Sequence, residues 1–170
     1  MLTHLAFLPG GTDMLVTELP GDLRLVRGGK LDPKPIPGWP ADKLSARSLN
    51  SVVLHPDFAR NRTLYFSYVK HRDGGDTTVA LARGKFDGTK LTNVEEIFVA
   101  DAWGTGATAG RAEFGPDGLL YLTVGDRDAG NVTITGVNRT VSGAITASGG
   151  AGLGTNQAGG KADPQPGPAP

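Results

Sequence analysis

The sequence predicts an all-β protein on three observations. Apolar residues recur with the two-residue period of strands, glycine and proline are abundant, and no segment carries the periodicity of an amphipathic helix. Its 170 residues hold 26 glycines and 12 prolines but only 6% aromatic residues, which suits many short strands joined by tight turns. That length allows one domain with a real core and no second domain of ordinary size.

Each expected element has its own reason. In the segment 23–27, Leu23 and Leu25 point together and Arg24 lies opposite, so this strand sits near a surface. Trp39, set among Pro33, Pro35, Pro37 and Pro40, reads as a packed connector, with a sugar-stacking platform as the alternative. Leu64, Phe66 and Tyr68 share one face of the strand 64–69, and its other face is also mostly apolar, so it is covered on both sides. The segments 77–86 and 89–100 flank Asp87-Gly88, a dipeptide that tolerates the positive φ of a type I′ turn, and they predict a hairpin. Residues 129–170 differ from all of this: ten glycines and four prolines, no aromatic residue, and only Arg139, Lys161 and Asp163 charged. Apart from a stray strand at 132–135, they predict a disordered tail.

A pattern of apolar strand, proline turn and second strand occurs three times. It runs through His4-Leu5-Ala6-Phe7-Leu8-Pro9-Gly10 to Met14-Leu15-Val16-Thr17, and through Val52-Val53-Leu54-His55-Pro56-Asp57 to Leu64-Tyr65-Phe66-Ser67. It then runs through Ala112-Glu113-Phe114-Gly115-Pro116-Asp117-Gly118 to Leu120-Tyr121-Leu122-Thr123. The prolines are 47 and 60 residues apart, near the spacing of four-stranded propeller blades. The expected organisation is a partial β-propeller over 1–128, about two and a half four-stranded blades, followed by the tail over 129–170.

Charge and composition exclude several functions. Lysine plus arginine and aspartate plus glutamate are both 17, so no net field draws the chain to nucleic acid or an anionic membrane. Cysteine is absent, which removes disulfides, thiolate nucleophiles and thiolate metal sites. No apolar run approaches the ~20 residues of a membrane-spanning helix, and Met1-Leu2-Thr3-His4-Leu5 does not read as a signal peptide. His4, His55 and His71 are scattered and make no metal site; His55, before Pro56, reads as a turn contact. Asp126-Arg127-Asp128-Ala129-Gly130-Asn131 has Gly130 where a calcium loop needs an oxygen ligand, so a solvated turn is expected.

Several segments in order resemble one family: Leu5-Ala6-Phe7-Leu8-Pro9, Met14-Leu15-Val16-Thr17-Glu18, Pro20-Gly21-Asp22-Leu23-Arg24, and Leu54-His55-Pro56-Asp57-Phe58. Gly110-Arg111 then leads through Phe114-Gly115-Pro116-Asp117-Gly118 to Gly125-Asp126. Over residues 4–128 the chain resembles the soluble pyrroloquinoline quinone (PQQ)-dependent aldose sugar dehydrogenases, the glucose/sorbosone dehydrogenase family. The resemblance implies a six-bladed propeller, with the blades beyond this part missing, PQQ and calcium as cofactors, and a sugar substrate. It also implies a periplasmic or secreted location. In that family a base takes the proton of the anomeric hydroxyl while hydride passes to the quinone. The base histidine stands four residues before the Gly-Arg arginine, and that position here is Ala107; alanine cannot take a proton. Ala46 stands where a sugar-binding glutamine is expected, and Asp126 matches the carboxylate that orients the base. Arg111 is expected to bind substrate or, alternatively, to be buried and tie turns together. The chain is therefore expected to be an inactive part of a sugar dehydrogenase, with a non-catalytic binding module as the alternative and a non-functional fragment, as a frameshift would leave, as the third possibility.

Overall fold

Turn residues divide the chain into three antiparallel meanders. The computed structural model describes residues 1–19, 21–105 and 108–125, together with the backbone of 131–136 and 144–148. The first sheet orders β1 (Leu2–Phe7), β2 (Met14–Glu18), β3 (Leu23–Arg27) and β4 (Lys30–Leu31). The second orders β5 (Ala46–Leu54), β6 (Thr63–His71), β7 (Thr77–Phe86) and β8 (Leu91–Val99). In the third, β9 (Ala109–Phe114) pairs with β10 (Leu120–Gly125), then come β11 (Asn131–Gly136) and β12 (Ala144–Ser148). The segment 132–135 thus lies in a strand of the third sheet. Strand β12 also falls in the 129–170 tail, which was expected to hold no strand beyond 132–135; the remaining residues of the tail, with their expected disorder, and the turn at 126–130 lie outside the described residues.

Pro9, Pro56 and Pro116 occupy one place in each sheet, the turn from its first strand to its second. The turns close similarly: Leu8 N–H donates to the Asp13 carbonyl at 2.8 Å, His55 N–H to Thr63 at 3.0 Å, and Gly115 N–H to Leu119 at 2.8 Å. The repeat in the sequence is therefore a repeat in the fold. Two four-residue helices, α1 (Ala41–Leu44) and α2 (Phe58–Asn61), fall between strands. No helix among the described residues is long and apolar enough to cross a membrane.

Strand β7 shows how period two feeds two cores. Ala80 and Ala82 point into a core made with Leu15, Leu23 and Leu25 of the first sheet and Leu64, Phe66 and Tyr68 of the second. Val79 and Leu81 point the other way, into a core shared with Ala112, Leu120, Leu122 and Val124 of the third sheet. The second sheet is thus covered on both faces, as the pattern of β6 predicts, and β3 buries Leu23 and Leu25 alone. Each large side chain so enclosed contributes about 1.5–3 kcal/mol.

Trp39 packs as expected of a connector: its ring lies 5.2 Å from that of Phe66 and 5.5 Å from that of Tyr68. Beside it Gly38 takes φ +101°, and a Cβ there would run into the Leu91 carbonyl, because Leu91 N–H donates to Pro37 O at 2.8 Å. The β7–β8 hairpin exists, but the expected two-residue type I′ turn does not. Four residues, 87–90, connect the strands, and of the Asp-Gly pair only Gly88 has positive φ. Asp87 Oδ1 accepts the N–H groups of Thr89 and Lys90 at 2.8 and 3.0 Å and the Thr89 hydroxyl at 2.7 Å. A local carboxylate cap has taken the place of the tight turn.

Candidate functional site

The first strand of each sheet, β1, β5 and β9, forms one wall, because buried hydroxyls tie the three together. Thr3 Oγ1 donates to the Leu49 carbonyl at 2.8 Å, joining β1 to β5. Ala112 N–H donates to Ser51 Oγ at 3.1 Å, and Ser67 Oγ donates to the Gly110 carbonyl at 2.9 Å, joining the second sheet to β9. Along this wall runs an open groove of about 370 Å³, lined by Thr3, His4, Asn50, Arg111 and Thr123 together with the backbone of 108–110 and Gly125.

Two β-bulges shape it. The β1–β2 register shifts between Leu2 and His4, making Thr3 an extra residue, and the β5–β6 register shifts between Leu49 and Ser51, making Asn50 one. A bulge re-aims a side chain, and both bulged residues line the groove. His4 and Arg111 reach it from regular pairing, opposite Thr17 and Thr123.

Three polar groups from three strands therefore converge. Val52 N–H approaches His4 Nδ1 at 3.4 Å, so Nδ1 accepts and the neutral ring carries its proton on Nε2, an assignment made from the bonding pattern. Burial, and next the Arg111 guanidinium, hold the His4 pKa below its ordinary value. Asn50 Nδ2 is shielded from solvent and has no hydrogen-bond partner among the described residues. Arg111 is 64% exposed and has only a loose ion pair with Glu113, at 3.7 Å. The reading of Arg111 as a buried tie between turns is thereby set aside.

The other expected site residues distribute differently. The hairpin of β9 and β10 forms around Pro116-Asp117-Gly118, and its pairing ends with Gly125 opposite Ala109. Ala107 and Asp126, just past that end, lie outside the described residues. Ala46 pairs with Lys70 at the start of β5 and packs against the first core instead of lining the groove. His55 is the turn residue expected: its Nδ1 accepts Asp57 N–H at 2.9 Å and lies 2.8 Å from Asn61 Nδ2. His4 and Asn50 are the residues that the sequence reading missed. His4 and Arg111 both stand five positions before a repeat proline, and Asn50 stands six before Pro56, displaced by its bulge. Aligning the repeats by their prolines would have brought all three forward.

The described donors do not fit the cofactors that the resemblance implies. Among the described residues a quinone bearing several carboxylates would meet a single guanidinium along the groove, and no acidic residue lines it to hold calcium. Among the described residues no group of three or more His, Cys, Asp or Glu could hold a metal.

Comparison with known proteins places these features. The sequence matches the model of the Glucose / Sorbosone dehydrogenase family over residues 2–164, beyond the 4–128 that its motifs suggested. It is 39% identical over 133 residues to an uncharacterised protein of Synechocystis, covering 72% of this chain and 32% of that one. The crystal structure of the apo form of the soluble aldose sugar dehydrogenase of Escherichia coli superposes with a TM-score of 0.67. Its identity is 29%, and the match covers 79% of this chain and 44% of that one. A PQQ-bound aldose sugar dehydrogenase of Streptomyces coelicolor, 22% identical, shares the fold with a TM-score of 0.63 over 79% of this chain and 44% of its own. The chain spans about a third of the length of the curated relatives it matches.

Proposed function

Because the chain belongs to the glucose/sorbosone dehydrogenase family, we propose that its sheets are consecutive blades of a six-bladed propeller that oxidises aldose sugars or related polyols with PQQ and calcium. The observation that carries the reading is the family match together with a groove built by strands from all three sheets. In this reading Arg111 holds the sugar and Asp126 is the carboxylate that would orient a base. The cofactors are held by blades beyond the described ones, and the working protein lies in the periplasm or outside the cell.

Ala107 stands at the base position, so this chain alone gives no sugar oxidation. A non-catalytic binding module is the second reading. It is favoured by alanine at both 46 and 107, while the donors of the groove persist. The test is sugar-dependent reduction of a redox dye after addition of PQQ and calcium, with this chain and with a full-length relative given alanine at the position matching Ala107. No turnover by the chain, and a loss of about 10²- to 10⁴-fold in the relative, are expected. An unchanged rate in the relative would show that the base position is dispensable and sink the inactive reading. A full-length relative inert toward every aldose and polyol would sink the dehydrogenase reading itself.

A further inference from the structure

We propose that the groove is an anion subsite that takes the carboxylate of an acidic sugar, a uronate or an aldonate, in preference to a neutral aldose; this rests on the sugar dehydrogenase reading above. Arg111 presents a guanidinium and His4 a neutral imidazole whose Nε2 carries the proton, and both residues line the groove. Both donate, and they arrive from two different sheets.

Beside them the Asn50 side-chain carbonyl can accept, while the hydroxyls already have partners. The Thr3 hydroxyl is engaged with Leu49 O and Thr17, and the Thr123 hydroxyl bonds the backbone N–H and carbonyl of Arg111. Thr108 Oγ1 meets Thr77 Oγ1 at 2.8 Å. Among the described residues no aspartate or glutamate lines the groove, and Glu113 touches the guanidinium only at 3.7 Å. Every hydroxyl of a neutral sugar must donate as well as accept, whereas a carboxylate only accepts. Such a lining therefore matches a carboxylate better than a ring of hydroxyls, and a planar guanidinium binds carboxylate in a fork. A volume of about 370 Å³ suits a monosaccharide.

The experiment titrates the chain with D-glucuronate and D-glucose, which differ at one carbon, by calorimetry and by the NMR signal of the His4 ring. Glucuronate is expected to bind about tenfold or more tightly than glucose, as one charge-assisted contact dictates. Arg111→Gln, at an exposed position, should abolish that preference without changing the circular dichroism spectrum, and Glu113→Gln should tighten glucuronate. Equal affinity for the two sugars, or a preference surviving in Arg111→Gln, would overturn the proposal. Acetate binding as tightly as glucuronate would reduce the site to a bare anion contact and overturn it too. PQQ expelling glucuronate from this groove would assign the carboxylate to the quinone and equally overturn the proposal. Selective glucuronate binding alongside a full-length relative that oxidises no sugar would leave the subsite standing and remove only the dehydrogenase reading.

Discussion

Burial and the neighbouring Arg111 guanidinium keep the His4 imidazole below its ordinary pKa of 6.5. A base whose folded-state pKa lies under its unfolded value is protonated first in the unfolded chain. Its contribution is therefore fully present above about pH 6.5 and is lost as the pH falls through the unfolded and then the folded value. Urea unfolding at about pH 7 and about pH 5 should show a smaller acid loss in His4→Gln than in the parent. Arg111→Gln, by removing the second cause, should raise the His4 pKa in an NMR titration; an unmoved pKa would mean that the two side chains do not share the groove. Arg111 was legible in the sequence from its Gly-Arg context, and Ala46 and Ala107 as departures from a motif. Thr3 and Asn50 were not, because a period-two reading assigns every residue a face and has no place for the extra residue of a bulge.

Between elements, the wall is held by hydroxyls buried where sheets meet. Ser51 Oγ lies 2.6 Å from Ser67 Oγ and accepts the Ala112 N–H, and Ser67 passes a hydrogen bond to Gly110 O. Replacing Ser51 by alanine leaves that N–H buried without a partner, a loss of about 1–3 kcal/mol. Denaturant unfolding of Ser51→Ala measures it, and a change within error would show that water reaches the seam. Gly38→Ala places a side chain at φ +101° against the Leu91 carbonyl and should destabilise by more than about 1 kcal/mol, read as a lower midpoint of thermal unfolding. An unaltered midpoint would place the connector away from β8. Strands and their faces were readable because Leu23, Leu25, Leu64, Phe66 and Tyr68 alternate cleanly. The seams were not, since Ser51 and Ser67 look in sequence like ordinary small polar residues of a strand. Nor was the 87–90 loop, where the Asp87 carboxylate bonds Thr89 and Lys90 and so decides the turn length that the Asp-Gly pair alone suggests.

At the scale of the molecule, three sheets pack face to face around two cores, each first strand on the wall and each repeat proline at the turn that leaves it. This order was legible because Pro9, Pro56 and Pro116 recur at the spacing of one four-stranded unit, while the convergence of His4, Asn50 and Arg111 required the sheets to be placed beside one another. The arrangement bears directly on cofactor retention. A flat polyanionic quinone held on the axis of such a wall needs cations and hydrogen-bond donors from all round it. The described wall is an arc from three sheets, and Arg111 is the one lysine or arginine among the described residues lining its groove. A single exposed guanidinium, shared in part with Glu113, offers a salt-screened contact and little affinity. PQQ titrated into this chain in the presence of calcium, followed by its absorbance and by equilibrium dialysis, should therefore show weak, salt-sensitive binding that does not saturate in the submicromolar range. Saturable one-to-one binding in that range would mean that donors outside the described residues complete the ring of contacts, and the argument from an open arc would fall.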